Sequence, residues 1–180
     1  MEEKDEFFNE KYTKPSDFKF SNTVARVFDD MVNRSVPYYE EIQRMISEIV
    51  ADHALEHSKV YDLGCSTGTS MILMDQTTAP GIPFVGVDDS EAMLDKCRKK
   101  LESIQFGRPY ELQVADLNKE VNIENASVVL LCLTLQFVRP MNRERLLKQI
   151  FSGMHPDGVL VIVEKILAED SRFNRDFIKY

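Results

Sequence analysis

Hydrophobic residues follow a helical spacing in the first third of this chain and change to short apolar runs at about Lys59. The early positions recur every three or four residues, which predicts two helices. Ser21 or Asn22 is placed to cap the first helix, and Pro37 is placed to open the second. Their apolar stripes comprise Val24, Val27, Phe28 and Met31 in the first helix and Ile42, Met45, Ile46, Ile49 and Val50 in the second. The first twenty residues are polar and aromatic and are interpreted as an arm.

Five short apolar runs in the rest of the chain predict strands. They comprise Lys59–Leu63, 84–87, Tyr110–Val114, a stretch within 126–137, and 159–163. A helix is predicted from Thr69 to about Gln76, and residues 171–180 predict the beginning of another. A further helix, capped by Ser90, is expected to turn five side chains inward: Met93, Leu94, Cys97, Leu101 and Ile104. The helix predicted over 143–154, stopped by Pro156-Asp157-Gly158, is expected to bury Leu146, Leu147, Ile150, Phe151 and Met154.

Strands that alternate with helices predict right-handed βαβ units and a parallel sheet buried on both faces. We therefore expect an α/β fold of Rossmann-like type, with about five parallel strands in a single structural domain. Sheets of this kind bind ligands beyond the carboxyl ends of their strands, where the strand order reverses. Residues 56–180 are expected to form the binding unit, and residues 1–55 to form an arm and helices that cover its pocket.

The first predicted strand is followed by a turn that carries Gly64 and Gly68. Glycine lets the backbone bend sharply and lets a ligand approach main-chain N–H groups closely. A dinucleotide-binding turn would have a third glycine where this chain has Ser66, so a tight strand-to-helix connection is an alternative interpretation. Asp62 narrows the kind of ligand that the turn could bind. A carboxylate there disfavours a phosphate and would neutralise an ammonium group, directly or through water.

Acidic residues follow the second and third predicted strands. Asp88 lies 24 residues after Gly64 and precedes Asp89. A carboxylate at this place can accept hydrogen bonds from both hydroxyls of a ribose, although the same segment would also serve to cap a helix. After the third strand, the Asp116 carboxylate can accept from an adenine amino group while the adjacent N–H of Leu117 meets a ring nitrogen. Taken alone, Asp116 is equally well explained as a turn residue.

Composition and charge disfavour several classes of function. With 43% hydrophobic and 29% charged residues, the chain has the make-up of an ordinary globular protein. A net charge of -8 disfavours direct nucleic-acid binding, and the short basic run at 96–100 is interpreted as a solvated helix face. No apolar stretch is long enough to span a membrane, and the acidic N-terminus does not resemble a signal peptide.

Neither the cysteines nor the histidines suggest a metal site. Three cysteines without a C-x-x-C pair are typical of a reducing, cytoplasmic compartment. Cys132 lies inside an apolar run with no histidine placed to activate it, so it is not expected to be a nucleophile. The histidines lack metal-ligand spacing and are predicted to lie on the surface. These residues are Cys65, Cys97 and Cys132, and His53, His57 and His155.

Two segments resemble the motifs of class I S-adenosylmethionine-dependent methyltransferases, namely 60–68 around the glycine turn and 85–94 around Asp88. A narrower resemblance covers nearly all 180 residues and is to the carboxy-S-adenosyl-L-methionine synthase family. It rests on 27–31, 34–39, 61–66, 123–127, 133–137 and 158–165. The segments at 34–39 and 134–137 are much more specific than the generic motifs.

The resemblance implies an enzyme that takes S-adenosylmethionine and prephenate, releases phenylpyruvate, and yields carboxy-S-adenosylmethionine. The carbon dioxide lost by prephenate is thought to trap a sulfonium ylide at the methyl carbon. The product serves tRNA wobble-uridine 5-oxyacetic acid modification, with the tRNA handled by a second enzyme. A cytoplasmic homodimer is implied, without direct nucleic-acid or membrane contact.

The resemblance also implies a set of ligand contacts, while the catalytic residues stay unassigned. Tyr39 offers a hydroxyl to the polar end of the ligand, the glycine turn cradles the amino-acid portion, and the acids take the ribose and adenine. Cys132 stands where the family has an asparagine, and a thiol cannot replace the paired donor and acceptor of an amide. The positions concerned are Tyr39, Gly64, Cys65, Ser66, Asp88, Asp89, Asp116, Leu117 and Cys132.

A second departure from the family concerns length. Family members continue beyond Tyr180 with helices, the two closing strands of the sheet, and an arginine that reads the added carboxylate across a dimer interface. We therefore expect a truncated product whose fifth strand is an exposed edge. Two alternatives stay open: an ordinary methyltransferase of a small molecule or RNA, and a non-catalytic adenosyl-binding module.

Overall fold

The computed structural model describes residues 22–166 and 169–178, which form six α-helices, a short 3-10 helix (Leu135–Phe137) and one five-stranded sheet. The helices are α1 (Asn22–Ser35), α2 (Tyr39–His53), α3 (Thr69–Asp75), α4 (Glu91–Ser103), α5 (Pro140–Gly153) and α6 (Ser171–Ile178). The strands are β1 (Lys59–Leu63), β2 (Phe84–Asp88), β3 (Tyr110–Val114), β4 (Ala126–Cys132) and β5 (Met154–Val163). The predicted alternation is confirmed, while the arm and the possible cap Ser21 lie outside the described residues.

The five strands are all parallel and are arranged in the order β3-β2-β1-β4-β5. The chain winds outward from β1 to β3 and then crosses back to place β4 on the other side of β1. The strand order therefore reverses between β1 and β4. We call the region beyond the carboxyl ends of these two strands the crevice, because sheets of this kind bind ligands there. The predicted edge position of the fifth strand is confirmed, since β5 pairs with β4 alone within the described sheet.

Both faces of the sheet are covered, and this explains why β4 is apolar without alternation. Its residues from Ala126 to Leu131 are all buried. On one face, the helices α2, α3 and α4 pack their apolar side chains against β1 and β4. On the other face, α5 packs Leu146 and Ile150 against the sheet. The helices thereby hold the central strands in place. The loops that follow these strands lie together at the carboxyl ends of the sheet.

Helix α2 differs from its prediction at both its start and its buried face. It begins at Tyr39, because Tyr38 has a left-handed backbone (φ 56°) that interrupts a helix starting at Pro37. Ile46 and Val50 are buried as predicted, but Met45, which is 50% exposed, and Ile49 are not. The buried face is rotated towards two polar residues. These are Gln43 and Ser47.

The predictions for α4 and α5 were also wrong in detail. Ile104 follows the last residue of α4 and is exposed, whereas the four other inward positions are buried. Helix α5 begins three residues early, at Pro140, because proline is well suited to the first helical turn. Leu147 and Phe151, the latter 82% exposed, lie on its outer face.

The connection from α5 to β5 is shorter than predicted. The helix ends at Gly153 and the strand begins directly at Met154, so the Pro156-Asp157-Gly158 segment lies inside the strand and does not stop the helix. The strand is irregular there, because its register with β4 shifts between Ala126 and Val128. A proline is tolerated in such an irregular stretch of an edge strand.

Candidate functional site

The glycine turn connects β1 to α3 at the crevice. Gly64 and Gly68 both have positive φ, of 82° and 79°, where glycine is favoured. The N–H groups of Gly64 and Cys65 donate to the Val87 carbonyl, at 2.7 and 3.0 Å, and this ties the turn to β2. A side chain at Gly64 would collide with Thr134 in the loop after β4. The predicted sharp turn is confirmed, and it borders the switch point.

The Cys65 side chain lies below this turn. It is buried, and a hydrogen bond with Cys97 together with burial raises the pKa of its thiol well above the usual value. Ser66 follows with a left-handed backbone (φ 50°). A ligand at the turn would therefore meet the main chain of Cys65 and not its sulfur.

Asp88 connects the glycine turn to the turn that follows β2. Its Oδ2 accepts from the Ser66 N–H and its Oδ1 from the Ser90 N–H, both at 2.9 Å. Burial raises the pKa of this carboxyl, and the two N–H donors partly offset that effect. Ser90 caps α4 as predicted, because its hydroxyl accepts a hydrogen bond from the Met93 N–H. Asp88 thus bridges two loops at the crevice, with Asp89 exposed beside it.

Asp62 is a buried carboxylate on β1, only 3% exposed. Its Oδ2 accepts no hydrogen bond from any residue in the described part of the chain. Burial, with a smaller effect from the charge of Asp88, raises the pKa of Asp62 to about 7. A buried acceptor without a donor is costly, so this atom is suited to receive a cationic or N–H group from a ligand.

Gln43, Tyr39 and Cys132 form a polar cluster where α2 crosses the end of β4. Gln43 is 1% exposed, and its Nε2 donates to the Cys132 Sγ at 3.8 Å. Burial and the charge of Asp62 raise the pKa of Cys132 to about 12, so its thiol is protonated near neutral pH and is a poor nucleophile. Burial and the nearby acidic groups of Cys132 and Asp62 raise the pKa of Tyr39, and an interaction with Gln43 lowers it by a smaller amount.

Gln43 was missed by the sequence analysis. It lies one helical turn after Tyr39, between the apolar positions Ile42 and Ile46, where a polar residue breaks an apolar stripe. That break was the available signal. It was not informative alone, because only the rotation of α2 decides whether Gln43 or Met45 is buried.

Asp116 and Leu117 follow β3, and the structure places Asp116 in a turn. Its Oδ1 accepts from the Asn118 N–H at 2.8 Å, and its Oδ2 lies 3.6 Å from the Lys119 Nζ. The Asn118 hydrogen bond lowers the pKa of this carboxyl against a smaller effect of burial, and the Lys119 charge lowers it further. Leu117 is buried in the core. The Ala115 N–H donates to the Asp88 carbonyl, so this turn adjoins the end of β2.

A second cluster, also missed, joins α1 to the glycine turn. Asp29 accepts hydrogen bonds from the hydroxyls of Thr67 and Thr69, at 2.5 and 3.2 Å. The Nζ atoms of Lys96 and Lys100 lie 3.0 and 3.3 Å from its Oδ2. The interpretation of the 96–100 run as a solvated face is therefore wrong for these two lysines, whose side chains are 27% and 28% exposed. The cluster unites three segments that are distant in sequence.

Other expectations concern metals, membranes and histidines. Within 22–166 and 169–178, no group of three or more His, Cys, Asp or Glu side chains is placed to hold a metal ion. None of the helices there is both long and apolar enough to cross a bilayer. His53 and His57 are exposed as predicted, whereas His155 is half-buried at 4.0 Å from the Asp157 carboxylate.

Comparison with known proteins agrees with this architecture. A family model described as a methyltransferase domain matches residues 60–158. The chain is 52% identical over 178 residues to a carboxy-S-adenosyl-L-methionine synthase from Methylococcus capsulatus, covering 98% of this chain and 74% of that protein. It is 40% identical to the synthase of the same name from Aliivibrio salmonicida, covering 97% and 72%. An S-adenosylmethionine-dependent methyltransferase from Clostridium acetobutylicum has the same fold, with a TM-score of 0.61 at 20% identity, covering 78% of this chain and 56% of that one.

Proposed function

Because this chain belongs to the carboxy-S-adenosyl-L-methionine synthase family, we propose that it is a transferase that converts S-adenosylmethionine into carboxy-S-adenosylmethionine. The observation that carries the proposal is the 52% identity to a synthase of that name over 98% of the chain. The 178 aligned residues include α2 and the polar cluster as well as the generic adenosyl-binding turns. A fold-level likeness alone would support only the binding of an adenosyl ligand.

The crevice between β1 and β4 has different polar groups for the different parts of such a ligand. Asp88 lies where a ribose diol would be held, and its oxygens keep lone pairs beyond those that accept from Ser66 and Ser90. Asp62, with its unpaired Oδ2, fits the ammonium of the methionyl portion. On this proposal the adenine lies at Asp116 and Leu117, Asp89 borders the ribose, and Tyr39 faces the polar end of the ligand.

The second substrate proposed is prephenate, which loses carbon dioxide and hydroxide and becomes phenylpyruvate. One methyl C–H bond of S-adenosylmethionine is then replaced by a bond to the carboxyl carbon. The methyl proton and the hydroxide leave as water, so atoms and charge balance. The residues of this chain would exclude bulk water from the crevice and hold the sulfonium beside the cluster of Gln43, Tyr39 and Cys132.

Product mass tests this proposal. The purified chain is incubated with S-adenosylmethionine, with and without prephenate, and the products are measured by mass spectrometry. We expect an adduct heavier by one carbon dioxide unit, formed with phenylpyruvate and only when prephenate is present. Methyl transfer without that adduct would show an ordinary methyltransferase. Ligand binding with neither product would show a non-catalytic adenosyl-binding module.

Further features of the proposal concern the wider role of the chain. We propose a cytoplasmic homodimer whose product serves tRNA wobble-uridine modification, with the tRNA bound by another enzyme. The net charge of -8 supports a small-molecule substrate, and the three cysteines are free thiols. Residues 1–55 are proposed to cover the pocket formed by residues 56–180. Analytical ultracentrifugation at several protein concentrations tests whether the chain dimerises. A monomer at every concentration would exclude the dimer.

A further inference from the structure

Gln43 is a buried polar residue of α2 whose side chain contacts the end of β4. Its amide nitrogen contacts the Cys132 sulfur, but its carbonyl oxygen Oε1 is buried and accepts no hydrogen bond from any residue that the structure describes. The same is true of Oδ2 of Asp62 on the neighbouring strand β1. Leaving two such acceptors unpaired is unfavourable for a folded protein alone, and one ligand group with several N–H donors would satisfy both.

The neighbours of Gln43 make it a preorganised group. Asp62 pairs with Leu130 of β4, two residues before the Cys132 that Gln43 contacts, and its charge acts on both Cys132 and Tyr39. Gln43 and Asp62 therefore border the same small space at the end of β4. The thiol of Cys132 accepts from Nε2, which holds the amide so that Oε1 remains free for a ligand.

We propose that the Gln43 amide binds the amino-acid end of S-adenosylmethionine, its Oε1 accepting from the ammonium beside Asp62. The thiol of Cys132 cannot supply an amide, and on this proposal Gln43 supplies one from α2. The inference rests on the proposed function insofar as it takes S-adenosylmethionine as the ligand. It adds a binding residue on α2, next to the end of β4.

The test compares two ligands that differ in the proposed contact. Dissociation constants for S-adenosylmethionine and for 5′-methylthioadenosine, which lacks the amino-acid portion, are measured by calorimetry. We expect Gln43→Leu to weaken S-adenosylmethionine binding roughly ten- to 150-fold and to leave methylthioadenosine binding unchanged. Gln43→Met, which keeps the unbranched chain length, is measured in parallel in case leucine packs poorly. The matched control is Gln149→Leu, because Gln149 also has a buried, unpaired Oε1 but lies on α5.

A rescue variant separates binding from packing. In Gln43→Leu/Cys132→Asn the amide is moved to the end of β4, and we expect it to regain most of the lost affinity for S-adenosylmethionine. Equal weakening of both ligands, or unchanged S-adenosylmethionine binding in both folded single variants, would overturn the role of Gln43 and leave the proposed function standing. If the unaltered chain binds S-adenosylmethionine but forms no carboxylated product, the proposed function fails while the role of Gln43 is still tested.

Discussion

At the residue scale, the two buried carboxylates of the crevice differ in their hydrogen bonding. Asp88 accepts two main-chain N–H bonds and holds two loops together. Asp62 keeps an unpaired oxygen in surroundings that penalise its charge. The first arrangement is complete without a ligand, whereas the second is completed only by one. Substitutions of the two residues should therefore have different consequences.

Substituting Asp88 should weaken ligand binding in addition to releasing the two loops that it joins. We predict that Asp88→Ala weakens S-adenosylmethionine binding by about 1.5–3 kcal/mol, the scale of hydrogen bonds to a charged group. Calorimetric titration measures this loss. Asp95→Ala is the control, because Asp95 lies on the exposed face of α4 and pairs with Arg98. Unchanged affinity in a folded Asp88→Ala protein would mean that Asp88 only joins the two loops.

Asp62 should make the unliganded protein less stable as the pH rises. Its pKa in the folded state is about 7, above the unfolded value of about 3.9, so the folded state binds the extra proton between these values. The free energy of unfolding should therefore fall from about pH 4 to about pH 7, relative to Asp62→Asn, and then level off. Chemical denaturation of both proteins across this range measures the difference. Parallel profiles would show that Asp62 does not titrate in this window.

At the element scale, α1 is held by charge as well as by packing. Val24 and Ala25 pack against Met93 of α4, and Asp29 joins α1 to two lysines of α4 and two threonines of the glycine turn. Burial raises the pKa of Asp29, but the Thr67 hydrogen bond and the charges of Lys100 and Lys96 outweigh it, and the pKa lies below the ordinary value. Asp29 is therefore ionised at neutral pH and anchors α1 to the site.

Removing this anchor should destabilise the protein. We predict that Asp29→Ala lowers the free energy of unfolding by about 1.5–3 kcal/mol, because the two lysines lose a partly buried partner. Urea denaturation measures the change. In Glu144→Ala, the control, an exposed pair with Lys148 on α5 is broken, and little effect is expected. Equal effects of the two substitutions would assign Asp29 to an ordinary surface pair.

At the scale of the whole molecule, the site unites groups from both sides of the switch point. The glycine turn and Asp88 come from the β1 and β2 side, and Cys132 and Thr134 from the end of β4, while α2 adds Gln43 from above the sheet. A ligand bound here contacts elements that are separated by about ninety residues of sequence. Its binding energy should therefore stabilise the fold as one unit.

Ligand-dependent stabilisation provides the broadest test. At a concentration about 100 times its dissociation constant, S-adenosylmethionine should add ~2.7 kcal/mol to the free energy of unfolding, which is a rise of roughly 5–10 °C in melting temperature for a domain of this size. Differential scanning calorimetry measures the rise. Asp88→Ala at the same ligand concentration should show a smaller shift. Absence of any shift in the unaltered protein would exclude adenosyl binding, and with it the synthase.

Much of the fold was predictable because its signals are local. The strand limits of β1 and β3 match the apolar runs, and Ser90 caps α4 as expected. Errors arose where the choice of buried face depended on a neighbour. Leu147 and Phe151 of α5, and Met45 and Ile49 of α2, are as apolar as the residues actually buried, so periodicity could not reject them. Helix rotation is decided by what the helix packs against.

The sequence by itself determined the alternation of strands and helices, the glycine turn after β1, and the acidic residues that end β2 and follow β3. Each of these depends on backbone preferences and hydrophobic spacing within a few residues. Only the tertiary structure decided that Asp62 is unpaired, that Gln43 lies against Cys132, and that Asp29 meets Lys96 and Lys100. Those contacts join residues 67 to 89 positions apart, and they exist only because α2 packs over the end of β4 and α1 packs against α4 beside the glycine turn.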